Sequence, residues 1–303
     1  MSHVRSRLPG ETPPGSVPQT RPPRTLPPAS SDAIDRVVDA VLAGRNYRWI
    51  ARDLLGRLAT DALVAARNEA DAVKRTKRRL HQIFGAYLWD LRPEMALDDL
   101  RDALASGGQA GLRAACRDLL AQHASTRERL PILNDFYDAI FARTGVPRVL
   151  MDVACGLGPL ALPWMNLPSG PAATTYLAYD IDQRLISVID GFLTLCGVPH
   201  VAALRDAVAT PPPDVVDVAL LLKTAPCLEQ QGRGSTRALV TALNAAHVVL
   251  SFPTHSLGGA RKGMPAHYRA QLDGMLAGTS WHVEELRFPS ELVFVLSKPP
   301  SGS

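Results

Sequence analysis

From residue 31 onward, apolar residues in the first third of the chain recur at three- and four-residue intervals. In "SSDAIDRVVDAVLAG", Ile34, Val37, Val38, Val41 and Leu42 share one stripe. Ser31 or Asp32 stands where a helix cap is needed, and Gly44 ends the run. "YRWIARDLLGRLATDALVAARN", "DAVKRTKRRLHQIFGAYLWDL", "ALDDLRDALASG" and "GLRAACRDLLAQHA" repeat the period, so residues 32–124 are predicted to be all helical. Residues 1–30 carry no such pattern. Rich in proline and arginine, they bury too little apolar surface to offset the entropy of ordering, which predicts a disordered tail over 1–31.

Near residue 147 the period changes. "RVLMDVA", "TYLAYDI", "HVAALRD", "VVDVALLLK" and "AAHVVLSFP" read as buried strands separated by helical stretches, the spacing of a parallel sheet. "WHVEELRF" and "SELVFVLSK", close together around Pro289, read as a terminal antiparallel hairpin. The prediction is an α/β fold: a Rossmann-like, seven-stranded methyltransferase-type domain over 129–303, preceded by a small all-helical domain over 32–128. A dinucleotide dehydrogenase sheet does not usually close on such a hairpin.

Composition narrows the setting. The 303 residues carry a net charge of +4. Cys116, Cys155, Cys196 and Cys227 form no CxxC, and no histidine pair has ligand spacing, so no metal site is expected and reduced thiols are. The start lacks the apolar core of a signal peptide, and no run approaches the ~20 residues of a membrane span. A cytoplasmic protein with no membrane partner is the expectation.

The candidate chemistry follows the first strand. "DVACGLGPLALPWM" places glycines where an open α/β sheet binds ligands, beyond the carboxyl ends of its strands. "GLGPLA" also fits the loose GxGxxA form, so this loop alone leaves an NAD-dependent oxidoreductase open. The second strand ends in "AYDID", where Asp180 is placed to accept hydrogen bonds from ribose hydroxyls and Asp182 to cap the next helix. The third ends in "LRDA", where Asp206 is placed to meet an adenine amino group or to cap a helix. A glycine loop and two acids on successive strand ends favour S-adenosylmethionine. "LLLKTAPCLEQQ" lacks the Pro-Pro-aromatic turn that holds an amine. Its Pro226-Cys227 resembles a C5-methylation nucleophile without the usual flanks, and a small packed cysteine is the better reading.

"AVKRTKRRLH" crowds Lys74, Arg75, Lys77, Arg78 and Arg79 into one helical segment, where like charges four apart repel unless phosphates neutralise them. Arg261 and Lys262 form a second basic group in "GGARKGMPAHYR". The basic segments suggest a nucleic-acid substrate.

Taken in order, "AVKRTKRRLHQIFGAYL", "HASTRERLPILNDFY", "DVACGLGPLALPWM", "YDID", "LLLKTAPCLEQQ", "FPTHSLGGARKGM" and "ELVFV" resemble one family: the aminoglycoside-resistance 16S rRNA guanine-N7 methyltransferases. This group includes the producer-type sisomicin-gentamicin and fortimicin methylases and their Arm/Rmt relatives. The resemblance spans residues 32–298. It implies methylation of guanine 1405 in the decoding A site of the assembled 30S subunit, with S-adenosylmethionine as cofactor and 16S rRNA as partner. The enzyme is expected to act as a monomer and to block 4,6-disubstituted deoxystreptamine drugs such as gentamicin and kanamycin. A non-catalytic protein that shields the ribosome remains the other alternative.

By motif, Arg129 resembles the arginine that meets the cofactor carboxylate. Ala154 and Gly156 lie along the methionine, Asp180 matches the ribose acid, and Asp206 the adenine-side acid. Lys223, Glu229 and Gln231 match target-pocket positions, Gln231 being counted with the cofactor-binding residues, and Glu291 matches another. The resemblance thus implies Lys223, Glu229 and Glu291 as catalytic residues. His255 stands where relatives carry lysine. Ser125 and Glu128 fit a capping box in "STRE". Guanine N7 already bears an in-plane lone pair, so positioning suffices and no base need remove a proton. The base must be flipped out, and an acid such as Glu229 or Glu291 is suited to stabilise the developing positive charge.

Overall fold

The structure, a computed structural model, describes residues 30–85, 91–254 and 264–299. The predicted tail up to residue 29, His255, Arg261 and Lys262 lie outside the described residues.

Three helices come first: α1 (Ser31–Leu42), α2 (Arg52–Ala65) and α3 (Glu69–Phe84). Ser30, not Ser31 or Asp32, caps α1, its side chain accepting from the Ala33 amide. The three bury a core of their own around Val37, Val41, Leu54, Leu55, Leu58 and Leu80. In α3 the buried positions are Ala72, Thr76, Leu80 and Ile83, a helical stripe that leaves Lys74, Arg75, Arg78 and Arg79 exposed. Asn68 caps this helix, and Glu69 and Asp71 complement its amino-terminal dipole.

The two helices expected next follow one another across a kink at the Gly107-Gly108 pair, and together they form α4 (Pro93–Gln122). Gly108 breaks it with φ 58° and ψ −147°, a conformation open to glycine. The short α5 (Ala124–Arg127) and then α6 (Leu133–Thr144) follow. Packing groups α4 and α6 with what comes after them: Leu100, Leu112, Phe136 and Ile140 share a core with sheet residues.

The sheet and its helices are β1 (Val149–Val153), β2 (Thr175–Asp180), α7 (Gln183–Leu195), β3 (His200–Leu204), β4 (Val215–Leu222), α8 (Ala225–Gln231), α9 (Ser235–Ala242), β5 (Asn244–Pro253), α10 (Met264–Leu276), β6 (His282–Arg287) and β7 (Glu291–Ser297). The strand order is β3-β2-β1-β4-β5-β7-β6. β1 to β5 pair in parallel, and β7 enters antiparallel between β5 and β6. This is the predicted seven-stranded sheet with its closing hairpin. Side chains alternate in facing: Leu150, Tyr176, Val218 and Val293 face α4, α6 and α7, while Met151, Leu177, Ala219 and Phe294 face α8 to α10.

The three-helix unit is seamed to the sheet's carboxyl edge through backbone. Ile50 bridges Asp182, the Ala51 amide donates to Ile181 O at 2.9 Å, and the Gln183 amide donates to Trp49 O at 2.9 Å.

Candidate active site

The ends of β1, β2, β3 and β4 open into one cleft at the carboxyl edge of the sheet, where an open α/β sheet binds ligands. Ala154, Gly156, Asp180, Asp206, Lys223 and Gln231 all line it. Ile50 and Phe84 from the helical unit, together with Leu185 and Val208, supply an apolar wall that the sequence did not reveal.

The cleft floor is conformationally strained. Ala154 and Lys223, just beyond the paired strands β1 and β4, sit at φ 53° and 58°. Such angles cost a residue with a Cβ about 1 kcal/mol or more, and they turn the backbone toward the cleft. Gly156 takes φ 53° with the His123 ring beside it. Gly158 is required for another reason: a Cβ there would stand 2.7 Å from Asp152 Oδ2.

Asp180 holds the loop. One carboxylate oxygen accepts from the Gly156 amide at 2.8 Å, and the other from the Ile181 and Asp182 amides at 2.7 and 3.1 Å. Burial pushes its carboxyl up to about 6, while these amides pull it back. Asp182 caps α7 through the Arg184 amide, as expected of it.

Asp206, 2% exposed, is gripped from the helical unit. Arg57 of α2 donates to its Oδ2 through Nε at 3.0 Å and Nη2 at 2.7 Å, and to Gln231 Oε1 at 2.5 Å. Asp53 Oδ2 accepts from the Asp206 amide at 3.2 Å. Arg57 thus ties two expected cofactor residues together. Its partner lies 149 positions away, and nothing in the α2 pattern signals that pairing.

Behind Lys223 lies a buried ionic cluster. Lys223 Nζ donates to Glu128 at 2.8 Å and to Ser125 O at 3.1 Å, and stands 3.6 Å from Glu291. Arg129 forms a two-pronged pair with Glu291 at 3.0 and 2.6 Å, and its guanidinium lies over the Phe136 ring. Burial opposes the Arg129 charge, but Glu291 opposite outweighs it and keeps the group ionised. The Ser251 hydroxyl donates to Glu291 as well. Arg129 and Glu291 are therefore in contact with each other and are not among the residues lining the cleft.

Glu229 is also absent from that lining. Its carboxylate accepts from the Gly234 and Thr236 amides at 2.8 and 3.0 Å, at the start of α9. Burial opposes ionisation there, yet the amides hold the carboxyl below the ordinary carboxylate range. The capping box expected of Ser125 and Glu128 does not form: Ser125 Oγ meets His123 Nδ1 at 2.8 Å, and Glu128 turns to Lys223 because α5 is a single turn. His123 lines the cleft, with burial lowering its pKa to about 4, so the ring is neutral. Cys227 lines the cleft too. The described residues hold no group suited to a metal ion, and none of their helices is long and apolar enough to cross a membrane.

The ribosomal RNA methyltransferase (FmrO) family matches residues 43–295. The chain belongs to this family. It is 43% identical over 273 residues, 89% of its length, to a 16S rRNA (guanine(1405)-N(7))-methyltransferase of Micromonospora echinospora, of which 98% is covered. A Serratia marcescens protein of the same description is 34% identical, with 88% of this chain and 98% of that one covered. Among solved structures, the 16S rRNA methyltransferase RmtF in complex with S-adenosyl-L-homocysteine superposes with a TM-score of 0.74 at 30% identity, covering 89% of this chain and all of that one.

Proposed function

We propose that the chain methylates N7 of guanine 1405 in 16S rRNA, with S-adenosylmethionine as donor, and so confers resistance to the aminoglycosides named above. The observation that carries this reading is the end-to-end match to relatives of that description, with the expected acids and glycines meeting in one cleft. An oxidoreductase has no use for the exposed basic face of α3, and a mere shield has none for a formed cleft.

The residues fit the cofactor. Asp180 presents a buried carboxylate, held by three amides, to a ribose. Asp206, Val208 and Phe84 bound the side suited to adenine, and Ala154, Gly156 and His123 the side suited to methionine. When bound, the cofactor supplies an electrophilic methyl group. The chain's own task is to bring N7 into line with it and to keep water away. No residue need act as a base. Arg129, Glu291 and Glu128 hold Lys223 in its left-handed turn, so the cluster fixes the cleft floor. Glu229 shapes α9 instead of facing the reacting atoms.

We further assign α1–α3 to docking on the assembled 30S subunit, through Lys74, Arg75, Lys77, Arg78 and Arg79. The direct experiment incubates purified 30S subunits with labelled S-adenosylmethionine and maps the product by borohydride/aniline cleavage. Label confined to guanine 1405 is expected. No transfer, or transfer to another nucleotide, overturns the reading.

A further inference from the structure

A second concavity lies on the other side of the seam, between residues 45–49, the start of α4 and the start of α7. Arg45, Arg48, Trp49, Arg92, Met95 and Gln183 line it. Arg45, Arg48 and Arg92 are exposed, and Arg45 makes no ion pair among the described residues. Trp49 is 39% exposed and Met95 55%, an unusual pair to leave in water beside three arginines. The Arg48 guanidinium stands 5.1 Å from the Trp49 ring centroid. Glu94 also lines the groove, and Arg184, at its far end, is paired with Asp182.

Two placements connect this groove to known surfaces. The Lys77 ammonium of α3 comes within 3.3 Å of where a Gly44 Cβ would stand, directly before Arg45. Lys77, the half-buried member of the basic segment of α3, therefore borders the groove. On the inner side, Ile50 and Asp182 line the cofactor cleft while their neighbours Trp49 and Gln183 line the groove. One bridged pair of backbone segments separates the two.

We propose that this groove is a second RNA-docking surface. It takes the phosphodiester backbone on Arg45, Arg48 and Arg92, and one unpaired base on Trp49. The inference rests on the 30S-docking reading of the proposed function. Guanidinium groups pair with phosphate oxygens in a planar, two-pronged way, and an exposed indole offers a stacking platform that accepts any base. An acidic protein segment would satisfy the arginines but supplies no base to stack on the exposed indole of Trp49. The groove's neighbours bear on the cleft wall, so an RNA strand seated there approaches the cofactor side with its next nucleotides near the cleft.

The test uses the full chain and purified 30S subunits. Three variants are compared with the parent: Arg45→Glu/Arg48→Glu, Trp49→Ala and Trp49→Phe. A control arm carries Lys74→Glu/Arg75→Glu/Arg78→Glu on α3. S-adenosylmethionine affinity by calorimetry is expected to be unchanged in the groove variants. The double charge reversal is expected to weaken 30S binding at least tenfold and to lower the slope of log affinity against log salt by roughly two. Trp49→Ala is expected to cost roughly tenfold and Trp49→Phe to recover most of it. Normal 30S affinity in the groove variants, with the α3 control weakened, overturns the groove and spares the docking reading. Normal affinity in both arms overturns both. Weakened binding with an unchanged salt slope points to a protein contact and overturns the RNA assignment. Loss of cofactor affinity in the double charge reversal and in Trp49→Ala assigns these residues to the fold and likewise overturns it.

Discussion

Two buried carboxyls carry opposite duties. In its proposed ribose-binding role Asp180 accepts hydroxyl hydrogen bonds most strongly when ionised, yet burial raises it to about 6. Cofactor affinity is therefore expected to rise from pH 5 to pH 7 and then level off, which calorimetry across that range measures. Asp180→Asn should flatten the profile and weaken binding roughly ten- to a hundredfold, the value of about 1.5–3 kcal/mol for a charge-assisted contact. An unchanged affinity removes the ribose role. Asp152 lies beneath the glycine loop, accepting from the Tyr176 hydroxyl at 3.1 Å, and burial pushes it up to about 8. It is protonated in the fold at neutral pH but ionised when unfolded, where its pKa is about 3.9. The folded state then binds the extra proton, so this group's contribution to stability falls as pH rises from about 4 to about 8 and is constant above. Asp152→Asn should reduce that decline in denaturant midpoints measured over the same window; an unaltered slope would show Asp152 to be ionised.

At the scale of elements, α2 acts on the cleft at a distance from its own core. Arg57 leaves the buried stripe of Leu54, Leu55 and Leu58 and crosses to Asp206 and Gln231. Arg57→Ala is expected to raise the KM for S-adenosylmethionine several-fold with little change in kcat, because the reacting end is untouched. Arg57→Lys, retaining the charge but not the fork, should recover part of the loss. Steady-state kinetics on 30S subunits decide it: a fall in kcat at constant KM would place Arg57 in the chemistry. The same element explains what the sequence left unread. Periodicity reveals that α2 is a helix and which face is buried. It carries no record of a pairing with a loop 149 residues away. In the same way, the helical run of α8 gave Glu229 no visible partner, since the amides it caps belong to the next helix.

For the whole molecule, the apolar runs made the seven strands and their closing hairpin legible, because the central strands β1, β2, β4, β5 and β7 are buried on both faces. The strand-end positions Gly156, Asp180 and Asp206 were legible because sheet topology decides where they meet, while Ala154 came from the family motif. Arg129 and Glu291 needed the third dimension. Both are charged, both come from motifs, and only their mutual burial at 4% and 0% side-chain exposure shows that each answers the other. The packing of α4 was hidden as well. Its apolar stripe fits a helical bundle equally well, but its partners are α7 and the sheet.

The seam between Ile50 and Asp182 bears on modularity. The three helices have a self-contained core, so they have the makings of an exchangeable cassette, yet three of the groups that complete the cofactor cleft (Ile50, Arg57 and Phe84) travel with them. A chimera that replaces residues 30–85 with the equivalent stretch of a distant relative is expected to fold cooperatively by calorimetry. Where that stretch carries no arginine at position 57, the chimera should nonetheless bind S-adenosylmethionine weakly, and restoring arginine there should recover part of the affinity. Inheritance of the three-helix part alone would then never be neutral for the donor site, and the two halves would be constrained to drift as a pair.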